Sequence, residues 1–240
     1  MRDLPPPLPP DERTVGQVVG ETMRVYGDNF WRALPIGVPL ALVDQACVRE
    51  PRDVQALVFW VAAPFIVAAF VWACSVVHHV RPNLTAFFVG LLIYLPFPAL
   101  RAWYILPAVA WFALMGLAVP AALVEGLPFR AALVRGRRLG TADYVHALAS
   151  LAVLVIVVGV GEQALIAALR SQGNSGGRAA LLLADVVLSP LLYLGGAMLY
   201  FDQAARIGST RPDRRRRRNA HRHPPVDSDP TGRADAQVEP

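Results

Sequence analysis

The chain has 240 residues, 55% hydrophobic and only 17% charged, with a formal net charge of +5 in which all 23 basic residues are arginine. Soluble domains carry about 25% charge, so an ordinary soluble domain is disfavoured, and the apolar content excludes a chain disordered throughout. Two cysteines, Cys47 and Cys74, exclude a disulfide scaffold and are expected to stay free.

Residues 1–13 are rich in proline (Pro5, Pro6, Pro7, Pro9, Pro10) and read as disordered. They hold no apolar stretch of the kind found in a secretion signal. Thr14 and Gln17 then form a capping box. After it, Val15, Val18, Val19, Thr22, Met23, Tyr26 and Phe30 recur at helical spacing, opposite Gln17, Glu21, Arg24 and Asp28. This pattern predicts an amphipathic helix at the membrane interface.

A membrane-spanning helix needs about 20 apolar residues. Phe30 to Val48 is the weakest candidate, with Arg32, Asp44, Pro35 and Pro39 in it. Val54 to Val77 is uncharged, and so are Pro82 to Leu100 and Ala102 to Val124. Only Arg101 separates the last two, so a tight turn is predicted near Phe97 to Tyr104, where Pro96, Pro98 and Pro107 allow breaks. Glu125-Gly126 closes the fourth span. A second amphipathic helix follows Pro128, with Leu127, Ala131, Val134 and Leu139 opposing Arg130, Arg135, Arg137 and Arg138. The fifth span runs from Tyr144 through Glu162 to Leu169, and the sixth from Ala179 through Asp185 to Phe201. The stretch from Arg24 to Leu34 can be laid on Arg138 to Leu148, a faint parallel repeat. The tail, residues 207–240, holds 8 Arg and 5 acids and reads as disordered.

The predicted class is therefore all-α: a bundle of about six transmembrane helices over residues 14–206, with two interfacial helices. Arginine placement sets orientation, because cytoplasmic loops are enriched in it. Arg130–Arg138 and the run Arg214, Arg215, Arg216, Arg217 and Arg218 place both termini in the cytoplasm when the span count is even. Those same arginines, Arg130, Arg135, Arg137, Arg138 and Arg214–Arg218, are the candidate contacts to anionic lipid headgroups. Nucleic acid is disfavoured as a partner, because no aromatic residues interleave the run.

Ionisable residues inside a span are costly and are functional candidates by default. Glu162 lies about 12 Å below Arg170, and Asp185 about 10 Å from Arg178, by helix rise. Both therefore sit at similar depth on consecutive antiparallel helices, where they can face each other or pair with Arg101, Arg170 or Arg178. They are the candidate intramembrane polar site, for a cation or a lipid headgroup; a structural hydrogen bond between helices is the alternative. No metal site is expected: His78 and His79 are adjacent and point about 100° apart on a helix. No cofactor motif and no nucleophile motif is present.

Three segments carry a resemblance. Tyr26-Gly27-Asp28-Asn29-Phe30 precedes the first span, and Pro120 to Arg135, with Ala132-Leu133-Val134-Arg135, follows the fourth. Leu199-Tyr200-Phe201-Asp202 and Arg206 close the last. This order resembles uncharacterised six-helix bacterial membrane proteins related to the membrane domain joined to some glycerophosphoryl diester phosphodiesterases. A serine usual in the central motif is replaced here by Gly136, and Gln203-Ala204 makes the closing motif looser. The resemblance implies the architecture and a bacterial inner membrane, and it implies no activity. The expected function is a non-enzymatic membrane protein of envelope or lipid homeostasis, or a scaffold for a membrane partner or a second copy. A small permease using Glu162 and Asp185 is the alternative.

Overall fold

The computed structural model describes residues 9–103, 105–169 and 173–208, and side chains there except those of 102, 103, 169 and 173–178. Every regular element among them is helical. Five stretches are long and apolar enough to cross a membrane: Arg52–His78, Leu84–Arg101, Ile105–Val124, Tyr144–Ala168 and Ala179–Gly208.

Before the first long helix, Pro10–Glu12 makes one turn of 3-10 helix that packs on the last helix, with Asp11 buried. Helix α1 (Val15–Asp28) starts at Thr14. The Thr14 hydroxyl accepts from the Gln17 amide, and Gln17 Oε1 accepts from Thr14 N at 2.9 Å. Two of the amides left open at the helix start are thereby satisfied. Val18, Val19 and Thr22 are buried against α9 (Tyr144–Leu169) and α10 (Gly173–Gly208), while Gln17, Arg24 and Asp28 are exposed. Met23, expected on the apolar face, is exposed. The Tyr26 hydroxyl donates to Val187 O at 2.7 Å.

Asn29 breaks the helix, and α2 (Phe30–Cys47) follows. Its Arg32, Asp44 and two prolines keep it out of the five apolar stretches, yet it packs on α10 as extensively as α9 does. Helix α3 (Arg52–His78) returns and ends at His79, in the left-handed region at φ 54°. Trp72 Nε1 donates to Arg32 O, setting the end of α3 beside the start of α2.

Helix α4 (Leu84–Tyr94) is capped by Asn83, whose side chain accepts from Ala86 N at 2.7 Å. Where a tight turn was expected, the chain forms a seven-residue helix, α5 (Phe97–Trp103). Prolines are tolerated in a first helical turn, where the missing N–H has no intrahelical partner anyway; Pro98 is the second residue of α5. Helices α6 (Ile105–Met115) and α7 (Ala118–Val124) make one apolar stretch, interrupted at Gly116-Leu117.

Helix α8 (Phe129–Ala142) presents a second face to the bundle. Ala131 and Val134, on the expected apolar side, are exposed, Val134 at 72%, as residues turned to lipid would be. The buried side is Ala132, Gly136, Leu139 and Gly140. A Cβ at Gly136 would lie 2.4 Å from the backbone of Ala118, and one at Gly140 would lie 2.2 Å from Leu114 O. The pairing advances four residues on α8 for four back on the other chain segment, so α8 runs antiparallel to α6–α7. Small residues win this face because they let the two backbones touch, and dispersion between close backbones holds helices together where water is absent.

One regularity supports the faint repeat. Laying Phe30 on Tyr144 superposes α1 on α8 residue for residue: both have 14 residues, and both are followed by one break residue, Asn29 or Asp143. At the centre, α10 packs against α1, α2, α3, α7, α8 and α9. Gly37 admits the close crossing of α2, since a Cβ there would meet Val186 O at 2.4 Å. Ala33, Ile36, Ala69, Ala73 and Leu194 fill the junction of α2, α3 and α10.

Candidate functional site

Two groups of polar side chains sit at opposite ends of this bundle. The first is at the C-terminal end of α10. Asp143 breaks the chain between α8 and α9, and its Oδ1 accepts from His146 N at 3.3 Å. Its Oδ2 pairs with Arg206 Nη1 at 2.6 Å. Gln203 clamps the same residue, accepting from Asp143 N at 3.1 Å and donating to Asp143 O at 3.3 Å. Asp202, 1% exposed, lies between Arg13 Nη1 at 3.5 Å and His146 Nε2 at 3.7 Å. Arg206 Nη2 donates to Arg13 O at 2.9 Å. Two guanidinium groups thus face two carboxylates. Buried charge is tolerated when it is matched in this way. The arrangement is a clasp joining Arg13, the α8–α9 break and the end of α10.

Beside it, Arg135 Nε donates to both Glu125 oxygens, at 2.8 and 3.1 Å, and the Tyr200 hydroxyl donates to Glu125 Oε1 at 2.8 Å. The His78 ring meets Tyr200 edge-on and Phe201 at a tilt. Arg130, Arg137 and Arg138 remain exposed, as a lipid-contacting set would be, whereas Arg135 is turned onto Glu125. Arg214–Arg218 lie outside the described residues.

The second group contains the candidate polar site. Glu162 lies on α9, Asp185 on α10 and Asp44 on α2, and α10 packs against both of the other helices. Asp185 is 2% exposed and its Oδ2 has no hydrogen-bond partner among the described residues. Arg101 on α5 pairs with Asp44, Nη2 to Oδ1 at 3.4 Å, and its guanidinium lies 4.1 Å from the centre of the Phe59 ring. Aromatic faces attract cations, so Phe59 helps to hold that charge in an apolar setting. Tyr94 is 3% exposed, and its hydroxyl has no hydrogen-bond partner among the described residues.

Sequence reasoning named Glu162 and Asp185 and missed Asp44, which it treated as the edge of a weak span. It weighed Arg101 as a partner for those two; the guanidinium pairs with Asp44 instead. The clasp was missed as well. Asp202 and Arg206 were visible four residues apart, but their partners come from positions 13, 143 and 146, which no spacing links. Both cysteines are free and buried. Among the described residues no three His, Cys, Asp or Glu are disposed around a metal ion. Among the described residues, Ile156, Gly159, Val160, Gln163 and Ala164 line an open apolar groove on α9.

No protein-family model matches the chain, and comparison with curated proteins and with solved structures finds no match.

Proposed function

We propose that this chain is a non-enzymatic multi-pass protein of the bacterial inner membrane, a scaffold in envelope or lipid homeostasis that crosses the bilayer six times. The reading rests above all on the contact between Arg13 and the end of α10. Two chain ends held together at one end of a bundle require an even number of crossings. Five stretches are apolar enough to cross, so α2, which runs along α10 between α1 and α3, is the sixth. Its charges do not forbid this: Asp44 is paired with Arg101, and Arg32 sits one turn from its start, where a long side chain can reach the interface.

On this reading α1 and α8 are the interfacial helices, and exposed Arg130, Arg137 and Arg138 meet anionic headgroups on the cytoplasmic side. The resemblance to six-helix membrane proteins related to the phosphodiesterase-linked domain is in keeping with it. Reporter fusions test the topology. An enzyme active only in the cytoplasm should be active when fused at either terminus, and inactive after Glu50. An active fusion at Glu50, or opposite results at the two termini, would overturn the six-span reading.

A small permease is the second reading. It is favoured by the ionisable residues carried within the apolar helices, the Asp44–Arg101 pair and buried Asp185, since α2, α5 and α10 could move against one another in a transport cycle.

A further inference from the structure

The clasp holds its most buried carboxylate loosely. Asp202 is 1% exposed, yet neither of its oxygens has a hydrogen-bond partner among the described residues. Arg13 Nη1 stands 3.5 Å from Oδ1, and His146 Nε2 stands 3.7 Å from Oδ2. His146 Nε2 is itself buried without a hydrogen-bond partner. Two open polar atoms facing each other in a buried place are costly. The other half of the clasp is tight: Arg206 meets Asp143 at 2.6 Å, and Gln203 bonds the Asp143 backbone twice. The slack contact is thus the one that holds an imidazole, and free imidazole titrates at about pH 6.5. The His146 side chain is 11% exposed, so water reaches an edge of the ring.

Ionisable groups near the ring come from the elements packed on α9 and from the segment before α1. Helix α10 supplies Asp202 and Arg206, and the α8–α9 break supplies Asp143. Arg13 precedes α1, and Asp11 and Glu12 sit on the 3-10 turn that packs on α10. On α1, Glu21 is paired with Arg24 and Asp28 is exposed. On α8, Arg135 is paired with Glu125, and Arg130, Arg137 and Arg138 are exposed. Helix α6 carries no ionisable residue. The hydroxyls of Tyr144 and Tyr200 are turned onto Ala110 O and Glu125. Four carboxyls, Asp11, Glu12, Asp143 and Asp202, therefore gather at this end of α10 against two guanidiniums, and a third cation is accommodated there.

We propose that His146 is a proton-operated latch: when protonated it closes on Asp202 and holds the segment before α1 against the end of α10. The proton comes from water and adds to the ring nitrogen that lacks one. Both ring nitrogens are then donors, and Nε2–H donates to Asp202 Oδ2. Asp202, fixed on that side, keeps its other oxygen on Arg13, whose carbonyl accepts from Arg206 Nη2 at 2.9 Å. A histidine that gains a partner on folding stabilises fully below its unfolded value and loses that help as pH rises. The latch tightens in mild acid and slackens above neutrality. It goes beyond the scaffold reading: it uses the same clasp, and it does not depend on how many helices cross the bilayer.

The test is amide hydrogen exchange of residues 11–19 in the full chain, held in phosphatidylcholine nanodiscs and corrected for the pH dependence of exchange itself. Protection should be about tenfold greater at pH 5.5 than at pH 8, as one charge-assisted hydrogen bond would give. That acid gain should disappear in His146→Gln and persist in His78→Gln and His79→Gln. Arg13→Gln should lower protection at pH 8 and keep the acid gain, because His146 still reaches Asp202; this variant decides the matter if His146→Gln does not fold. Equal protection at both pH values in the parent, or greater protection at pH 8, would overturn the latch. So would an acid gain that survives in His146→Gln or is lost in Arg13→Gln, His78→Gln or His79→Gln. No protection at either pH would mean that the clasp itself does not form, and the six-span reading would lose its main support as well.

Discussion

Glu125 shows how much a single side chain can organise here. It accepts from Arg135 through both oxygens and from the Tyr200 hydroxyl, and so ties α7, α8 and α10 together. The carboxylate and the guanidinium are each 28% exposed, so solvent screens the pair only in part. A double-mutant cycle of Glu125→Gln and Arg135→Gln should give a coupling of about 1 kcal/mol in thermal or denaturant unfolding. A coupling indistinguishable from zero would mean that the contact is not formed in the membrane. The Glu21–Arg24 pair on α1 is a contrast. Its hydrogen bond from Arg24 holds Glu21 below the usual carboxylate range, and Arg24 lies in solvent. A lowered carboxylate stabilises above its unfolded value and loses that help as pH falls through the folded value. The pair therefore supports α1 at neutral pH and fades in acid, by a small amount because it is exposed.

Helix contacts are decided by glycines that look alike in the sequence and differ in place. Gly136 abuts the Ala118 backbone, whereas Gly20 on α1 has nothing within 4 Å of a Cβ. Gly136→Leu should prevent α8 from docking. The expected result is loss of a monodisperse peak in detergent, because backbone cannot move aside as a side-chain tip can. Gly20→Ala should be neutral or stabilising by up to about 1 kcal/mol, since alanine favours a helix. Equal effects of the two substitutions would disprove the close α8 crossing. The matched lengths of α1 and α8, each ending one residue before a long helix, belong to this scale too. Asn29 and Asp143 are short polar residues that bond nearby backbone readily, and such residues suit a helix break.

For the molecule as a whole, the exposed arginines of α8 form one charged edge. Each basic residue near an anionic surface contributes about 1 kcal/mol. Energy transfer from tryptophan to labelled lipids measures preference for anionic over zwitterionic headgroups. That preference should drop at least tenfold in the triple variant Arg130→Gln, Arg137→Gln, Arg138→Gln, and should weaken in high salt. Unchanged preference would remove α8 from the lipid-contact surface. Arg135 is left out of the variant because its charge is already met by Glu125.

Much of the architecture was legible from the chain alone. Apolar runs of about 20 residues report spanning helices directly, because lipid leaves the backbone no partner outside its own helix. The Thr14 capping box and the break after Glu125 were also local, and local signals survive in a sequence. What only tertiary structure decided was non-local. The face of α8 packed on the bundle followed backbone proximity, where glycine and alanine outrank valine, so an apolar stripe alone did not reveal it. Asp44 looked like the end of a span until Arg101, 57 residues away, supplied its counter-charge. The clasp at Asp143, Asp202 and Arg206 brings in Arg13 from 193 residues away. The 17% of charged residues that first marked this as a membrane chain thus has a sharper meaning. Several of its charges, such as Asp44 with Arg101 and Asp143 with Arg206, are gathered from distant segments into pairs, because an apolar interior penalises each charge left alone.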